Sequence, residues 1–483
     1  AIDELASIMG ITVKESTTQN GAVTINLTSG ESLVLENGAF NLFELNTNAD
    51  LTFKQLKLET NFGSQTKADA SIRIVEDDLG GALGGLFGYR NEILGPAMRD
   101  VGQLSVAFAD AMNTQNKLGM DLDGQLGSNI FDIPSFRGLA YSDTNGDYVV
   151  TAQITEGKGA ELTDADYKIE VTAVTAGVPS QIEITLLNAD GTPKKDASGN
   201  DIIYSNYAVT AGFNELPGGI EVDFSGTDPY TVGNEFLIQP TKDIASKITL
   251  ETNRPEDLAF ASPVRAGANN TNLGSANVID VTVSNTEVGA SAFDGAGGLL
   301  NSAPAQINFT AADTYDVVDG SGNVLATVTG TTDLTNLISQ AGISPDPGFD
   351  LSLDGVPKAG DSFSISYNTD GFNDNSNALN LAALQNENKV QVSSEATNRP
   401  RTFQDAYASM VGRIGEDASM ANVSLASAEA MKVQSQNWFE SVSGVSLDEE
   451  AANLIKYQQS YAAAARILST AQELFNTILQ SAR

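Results

Sequence analysis

Ser441-Val-Ser-Gly-Val-Ser446-Leu-Asp-Glu-Glu450-Ala-Ala-Asn-Leu-Ile-Lys-Tyr-Gln-Gln-Ser-Tyr461, followed by an alanine-rich run to Phe475 and on to Leu479, is the stretch on which the reading of this chain turns. Ser446-Leu-Asp-Glu449 has the spacing of a capping box. The Ser446 hydroxyl accepts from the amide of the third helical residue, and the carboxylate there reaches back to the cap. Leu447, Ala451, Leu454, Tyr461, Ala465, Leu468, Phe475 and Leu479 then fall on the a and d positions of one heptad frame, with Gln458 and Gln472 as polar interruptions. A second stripe of Ile455, Ala462, Ala471, Leu474 and Ile478 flanks the first. A stripe that wide requires more than one partner surface, although a core helix in a local bundle carries the same pattern.

Upstream, Pro400 opens another long helix whose apolar residues step as Phe403, Tyr407, Met410, Ile414, Ala418, Ala421, Leu425 and Ala428. Trp438 and Phe439 are expected in a packed turn between the two helices, and residues 377–388 form a short helix. Between about Ser142 and Thr369 the composition shifts to Thr, Gly, Asn, Asp and Val with alternating runs and Asp-Gly turns, the mark of antiparallel β domains. There Ile220-Glu-Val222-Asp-Phe224-Ser-Gly226 with Gly233-Asn-Glu-Phe236-Leu-Ile238 resembles Phe349-Asp-Leu351-Ser-Leu353-Asp-Gly355 with Gly360-Asp-Ser-Phe363-Ser-Ile365. This is a weak internal repeat, and Tyr167 and Tyr315 are expected to open its two copies. Residues 86–115 read as a long amphipathic helix through Leu86, Ile93, Met98, Val101, Leu104, Phe108 and Met112, interrupted at Gly95-Pro96 and entered through a flexible glycine-rich stretch, Gly80 to Gly85. Residues 11–58 read as short strands, and Ala1 to Met9 as the tail of a helix that begins upstream in a longer chain.

The fold class is therefore α+β and multidomain: a long coiled-coil-like helical bundle contributed by both chain ends, with antiparallel β domains inserted. The expected domains are 1–141 (mixed helical and β, N-terminal helices truncated), 142–250 and 278–370 (the inserted β domains) and 375–483, the C-terminal helices completing the axial bundle.

Composition narrows the chemistry. Across 483 residues, 62 Asp plus Glu against 26 Lys plus Arg give a net charge of −36, which repels nucleic acid. The absence of Cys and His removes thiolate and imidazole metal ligands together with the commonest nucleophile and acid–base residues. No apolar run is long enough to cross a membrane, and no Ser-x-x-Lys or marked carboxylate pair points to an enzyme. Asp143-Thr-Asn145-Gly-Asp147 has calcium-loop spacing at its start, but Tyr148 and Ile154 stand where the loop needs Gly and Glu; a weak cation site and a plain turn both remain open there, as at Asp121-Leu-Asp123-Gly124. No metal or other cofactor is expected.

The segment Ser441 to Phe475 resembles the terminal signature of the flagellar axial protein family. Leu86-Phe-Gly-Tyr-Arg90-Asn-Glu-Ile-Leu-Gly-Pro96, Asn113-Thr-Gln115, Gly119-Met-Asp121-Leu-Asp-Gly124, Asp374-Asn-Ser-Asn-Ala378 and Phe403-Gln-Asp-Ala-Tyr407 are similar to its hook–filament junction members. The resemblance implies an extracellular structural subunit of the bacterial flagellum, exported through the type III apparatus without a cleaved signal peptide. It further implies self-association in a ring or helical assembly, contact with the hook protein and a second junction protein, and a cytoplasmic export chaperone docking on the face of Leu447, Ala451, Leu454, Tyr461, Ala465, Leu468, Phe475 and Leu479. No nucleic acid and no membrane insertion are expected. The competing reading is a secreted adhesin or glycan-binding protein that uses the β domains.

Overall fold

The computed structural model describes residues 1–16, 21–47, 49–59, 71–141, 144, 148, 150–226, 229–391, 400–444 and 446–481. The chain forms two compact units, Ala1–Val411 and Gly412–Arg483. Helices stand near both ends and antiparallel sheets lie between them, as the α+β reading requires.

The first unit opens with α1 (Ile2–Ile8), followed by two three-stranded sheets: β1 (Ile11–Glu15), β2 (Val23–Leu27), β3 (Ser32–Val34), and β4 (Leu42–Thr47), β5 (Lys54–Glu59), β6 (Ser71–Arg73). Alternating Ile25, Leu27, Leu56 and Leu58 point inward and share a small core with Met9, Ile74 and Leu79. Next come α2 (Gly81–Gly88), a π-helical turn (Tyr89–Leu94) and α3 (Gly95–Lys117). The helix thus starts within the glycine-rich stretch expected to be flexible. It also passes through Gly95-Pro96 without a break. Pro96 sits in the first turn of α3, where a missing N–H costs least, and the π turn before it absorbs the change of phase.

Two β units follow. A short pair, β7 (Phe131–Asp132) with β16 (Thr249–Leu250), brackets the first. Its strands are β8 (Phe136–Ala140), β9 (Val150–Ile154), β10 (Asp166–Thr175), β11 (Val178–Leu187), β12 (Ile203–Ala208), β13 (Phe213–Leu216), β14 (Ile220–Asp223) and β15 (Glu235–Ile238). They form one antiparallel sheet in the order β12-β11-β10-β15-β8-β9-β14-β13, wrapped around Tyr167, Ile169, Ile184, Val222, Phe224 and Phe236. The second unit contains β17 (Val264–Ala268), β18 (Asn277–Val283), β19 (Pro304–Ala311), β20 (Thr314–Asp319), β21 (Val324–Thr329), a short α4 (Leu337–Gln340), β22 (Phe349–Asp354) and β23 (Ser362–Tyr367). Here β17-β23-β19-β20-β21 form one sheet and β18-β22 a separate pair around a core of Phe293, Ile307, Phe309, Tyr315 and Phe363.

The internal repeat extends to the topology. The order β8-β15-β10-β11-β12 is the order β17-β23-β19-β20-β21, and β9–β14 matches β18–β22, with α4 standing where the first copy has β13. The hydrogen bonds agree atom for atom at one corner. Val171 donates to the Asn234 carbonyl and accepts from Gly233, both at 2.9 Å, while Phe309 donates to the Asp361 carbonyl and accepts from Gly360, both at 2.8 Å. The two tyrosines do not open equivalent strands. Tyr167 lies on β10, whose counterpart is β19, whereas Tyr315 lies on β20, the counterpart of β11. Each is a buried aromatic on an alternating strand, a pattern that carries no information about which strand of a hairpin it marks.

Candidate assembly surface

The first unit continues through α5 (Ser376–Ala383) to α6 (Phe403–Ser443), which runs into the second unit, completed by α7 (Leu447–Ser481). At the start of α7 the Ser446 hydroxyl accepts from the Glu449 amide at 3.4 Å, the forward half of the capping box. Three acidic residues, Asp448, Glu449 and Glu450, occupy the first turn, where the positive end of the helix dipole favours them.

Every one of the eight a and d residues on α7 is exposed. Leu447 shows 86% of its surface, Leu454 59%, Tyr461 80%, Leu468 67%, Phe475 64% and Leu479 54%, and Ala451 and Ala465 are exposed as well. The flanking Ile455, Leu474 and Ile478 are equally bare. On α6, Tyr407, Val411, Met420, Leu425 and Met431 are exposed. Trp438 and Phe439, expected in a packed turn, are exposed on the helix itself, because α6 runs unbroken to Ser443. A soluble chain seldom leaves contiguous apolar surface of this extent in water unless something covers it.

A second apolar face was half legible. On α2 and α3 the stripe of Leu86, Met98, Val101 and Phe108 is present as expected, but it points outward, joined by Tyr89 and Leu94. The buried side of α3 is instead rich in polar groups, Arg99, Gln103, Asp110, Asn113 and Asn116, set among Val106, Ala107, Ala109 and Ala111. Each of these polar groups is used. Arg99 pairs with Asp166 on β10 through two nitrogens, Nε at 3.0 Å, with both side chains about 97% buried, and Gln239 donates to the same carboxylate at 2.8 Å. Burial drives the Asp166 carboxyl up, with Arg99 and Gln239 opposing it. Burial likewise raises Asp110, whose two oxygens accept from Gly157 and Gly159 at 2.9 and 2.8 Å. Asn113 accepts from Ile130 and Phe131, and Asn116 from Ala259 at 2.8 Å. Gly102 allows the closest approach, since a Cβ there would lie 1.8 Å from the Thr241 carbonyl oxygen. Periodicity alone could not reveal this inversion, because a helix with polar groups facing protein shows the same 3.6-residue alternation as one with them facing water.

At Phe108 the outward stripe of α3 meets two rings edge to face, Phe403 of α6 with ring centres 5.6 Å apart and Phe131 of β7 at 5.9 Å. The separated sequence motifs also converge. Gln115 donates to Asn377 at 2.6 Å, and Asn377 donates to the Ala259 carbonyl, so the 113–115, 119–124 and 374–378 segments form one joint under α3. In that joint Asp121 accepts from Asp123 and Gln125 in an ordinary turn. Asp143, Asn145 and Asp147 lie outside the described residues. Among the described residues no cluster of three or more metal-ligating side chains occurs, and no helix is long and apolar enough to cross a membrane.

Residues 1–131 match the flagellar hook-associated protein FlgK helical domain, and residues 438–481 match the flagellar basal body rod FlgEFG protein C-terminal domain. The chain is 27% identical over 482 residues to flagellar hook-associated protein 1 of Salmonella typhimurium and 24% identical over 481 residues to that of Escherichia coli, in each case covering 99% of this chain. It spans 62% of the length of these relatives. Its fold is similar to that of the flagellar hook junction protein FlgK from Burkholderia pseudomallei, with a TM-score of 0.69 and 25% identity across 92% of this chain and 77% of that one. In sequence and in fold the chain is thus similar to structural proteins of the flagellum. Within that class the matched relatives are flagellar hook-associated protein 1.

Proposed function

We propose that this chain is a subunit of the extracellular hook–filament junction, required for filament assembly, and that it polymerises through its terminal helices. The observation that carries the reading is the apolar face of α7, interrupted only at Gln458 and Gln472 and bare from Leu447 to Leu479, in a chain similar along nearly its whole length to junction proteins. Burying such a face against neighbouring copies supplies the free energy of assembly, and the seam formed by Leu447, Ala451, Leu454, Tyr461, Ala465, Leu468, Phe475 and Leu479 has the knobs-into-holes spacing for it. Before export the same face needs a cytoplasmic chaperone to keep it from aggregating. In the assembled state the partners would be other copies, the hook protein and the second junction protein. The outward face of α2 and α3 offers a further contact, with a shallow groove of about 300 Å³ beside Met98 and Val101.

Deletion of the gene in the source cell tests the reading. Hooks without filaments, with flagellin shed into the medium, are expected, and normal filaments would refute it.

A further inference from the structure

Helix α6 carries two glycines, Gly412 and Gly415, in its interior. Glycine makes a helical position about fivefold less favourable than alanine, because it has the most backbone freedom to lose and leaves the peptide groups open to water. A fold accepts that loss where a side chain would not fit. Gly102 of α3, held against the Thr241 carbonyl, is such a case. A positive φ is the other reason, as at Gly177 in the turn between β10 and β11, where φ is 83°. Neither reason applies in α6. Both glycines have helical backbone, and a Cβ on either would meet no atom within 4 Å among the described residues.

Their position is the second observation. Phe403, Ala406 and Met410 are partly buried, whereas from Val411 to Val442 every residue except Asp417 is exposed. The first compact unit closes at Val411, and the second begins at Gly412. Gly85 and Gly88 of α2 also meet nothing, but Leu83 and Phe87 pack α2 onto the core of the small sheets and hold its axis. Among the described residues, none from Gly412 to Gly415 belongs to a hydrophobic core. The two weakest positions of α6, three residues apart and so on one face, therefore coincide with the point at which its packing stops.

We infer that Gly412–Gly415 is a hinge in α6, through which the second unit changes direction while the first keeps its packing. The motion breaks no core and displaces no neighbour. Only the hydrogen bonds of about one helical turn open, in a stretch already surrounded by water. On the assembly reading above, the hinge lets the apolar helices follow the neighbours that bury them without straining the β units. The hinge itself is a property of the free chain and is measured apart from that reading.

Because the chain has no cysteine, spin labels can be placed in pairs on introduced ones. Labels at Gln404→Cys and Ser424→Cys span the glycines, and labels at Ser424→Cys and Ser441→Cys span a glycine-free stretch of the same helix. All three positions are exposed. A straight helix sets the first pair about 30 Å apart and the second about 26 Å, at about 1.5 Å of rise per residue. Distances read by pulsed electron paramagnetic resonance on the full chain should be widely spread for the first pair, with a tail well below the straight-helix value, and narrow for the second. Gly412→Ala with Gly415→Ala should collapse the first to a single narrow peak near the straight-helix value, with helix content by circular dichroism equal or higher. A first pair as narrow as the second in the otherwise unaltered chain would overturn the hinge, and so would a spread that the two alanines leave unchanged. A narrow first pair together with loss of incorporation of the alanine variant into flagella would also overturn it, and would assign the glycines to close packing against a neighbouring helix.

Discussion

Replacing Leu468 tests whether the bare face of α7 is an interface or merely tolerated. Full burial of a leucine is worth about 1.5–3 kcal/mol, and Leu468 leaves 67% of its surface in water, so covering it in an assembly contributes roughly 1–2 kcal/mol per contact. Leu468→Ala should therefore weaken association about 5- to 30-fold. Leu468→Asp should do far more, because it would place an unpaired carboxylate where the neighbour packs, at a cost of several kcal/mol more. Neither change touches a folded core, so the melting transition of the β units should stay in place. The assay is complementation of a deletion strain, with incorporation scored by immunolabelling of junctions and folding checked by circular dichroism. Normal incorporation of Leu468→Asp would refute the interface. A lowered melting temperature of the β units would refute the claim that the face is free before assembly.

Three further outcomes follow from the packing. Gly138→Ala should destabilise the first β unit by about 1–3 kcal/mol through the clash with Ile238 and Val150, seen as a lower melting temperature. Arg99→Leu should cost about 3–5 kcal/mol, because it strands the buried Asp166 carboxylate; the double change with Asp166→Leu should recover much of that loss in a denaturant titration. Burial works to raise the Asp361 carboxyl, but backbone donors at Leu273, Gly274 and Lys358 outweigh it and hold the group below the usual range. Its contribution is thus present above the unfolded value near about 4 and is lost as pH falls through the lower folded value. Asp361→Asn should remove that acid-dependent part of the melting curve of the second β unit.

Sequence alone determined the local elements wherever one side of an element meets one kind of surroundings. The heptad stripe of α7, the capping residue Ser446 and the alternating strands around Phe224 and Phe363 all follow from period and turn chemistry, and so does the existence of the repeat. What period cannot decide is which surface an element faces. Tertiary structure turned five polar side chains of α3 inward beside Val106, because Arg99, Asp110, Asn113 and Asn116 each find a partner whose position depends on the fold of other segments. It also decided the seam of the repeat. In the first copy β8 and β9 form a ladder, while in the second β17 and β18 form none, a difference that the strand patterns by themselves do not show.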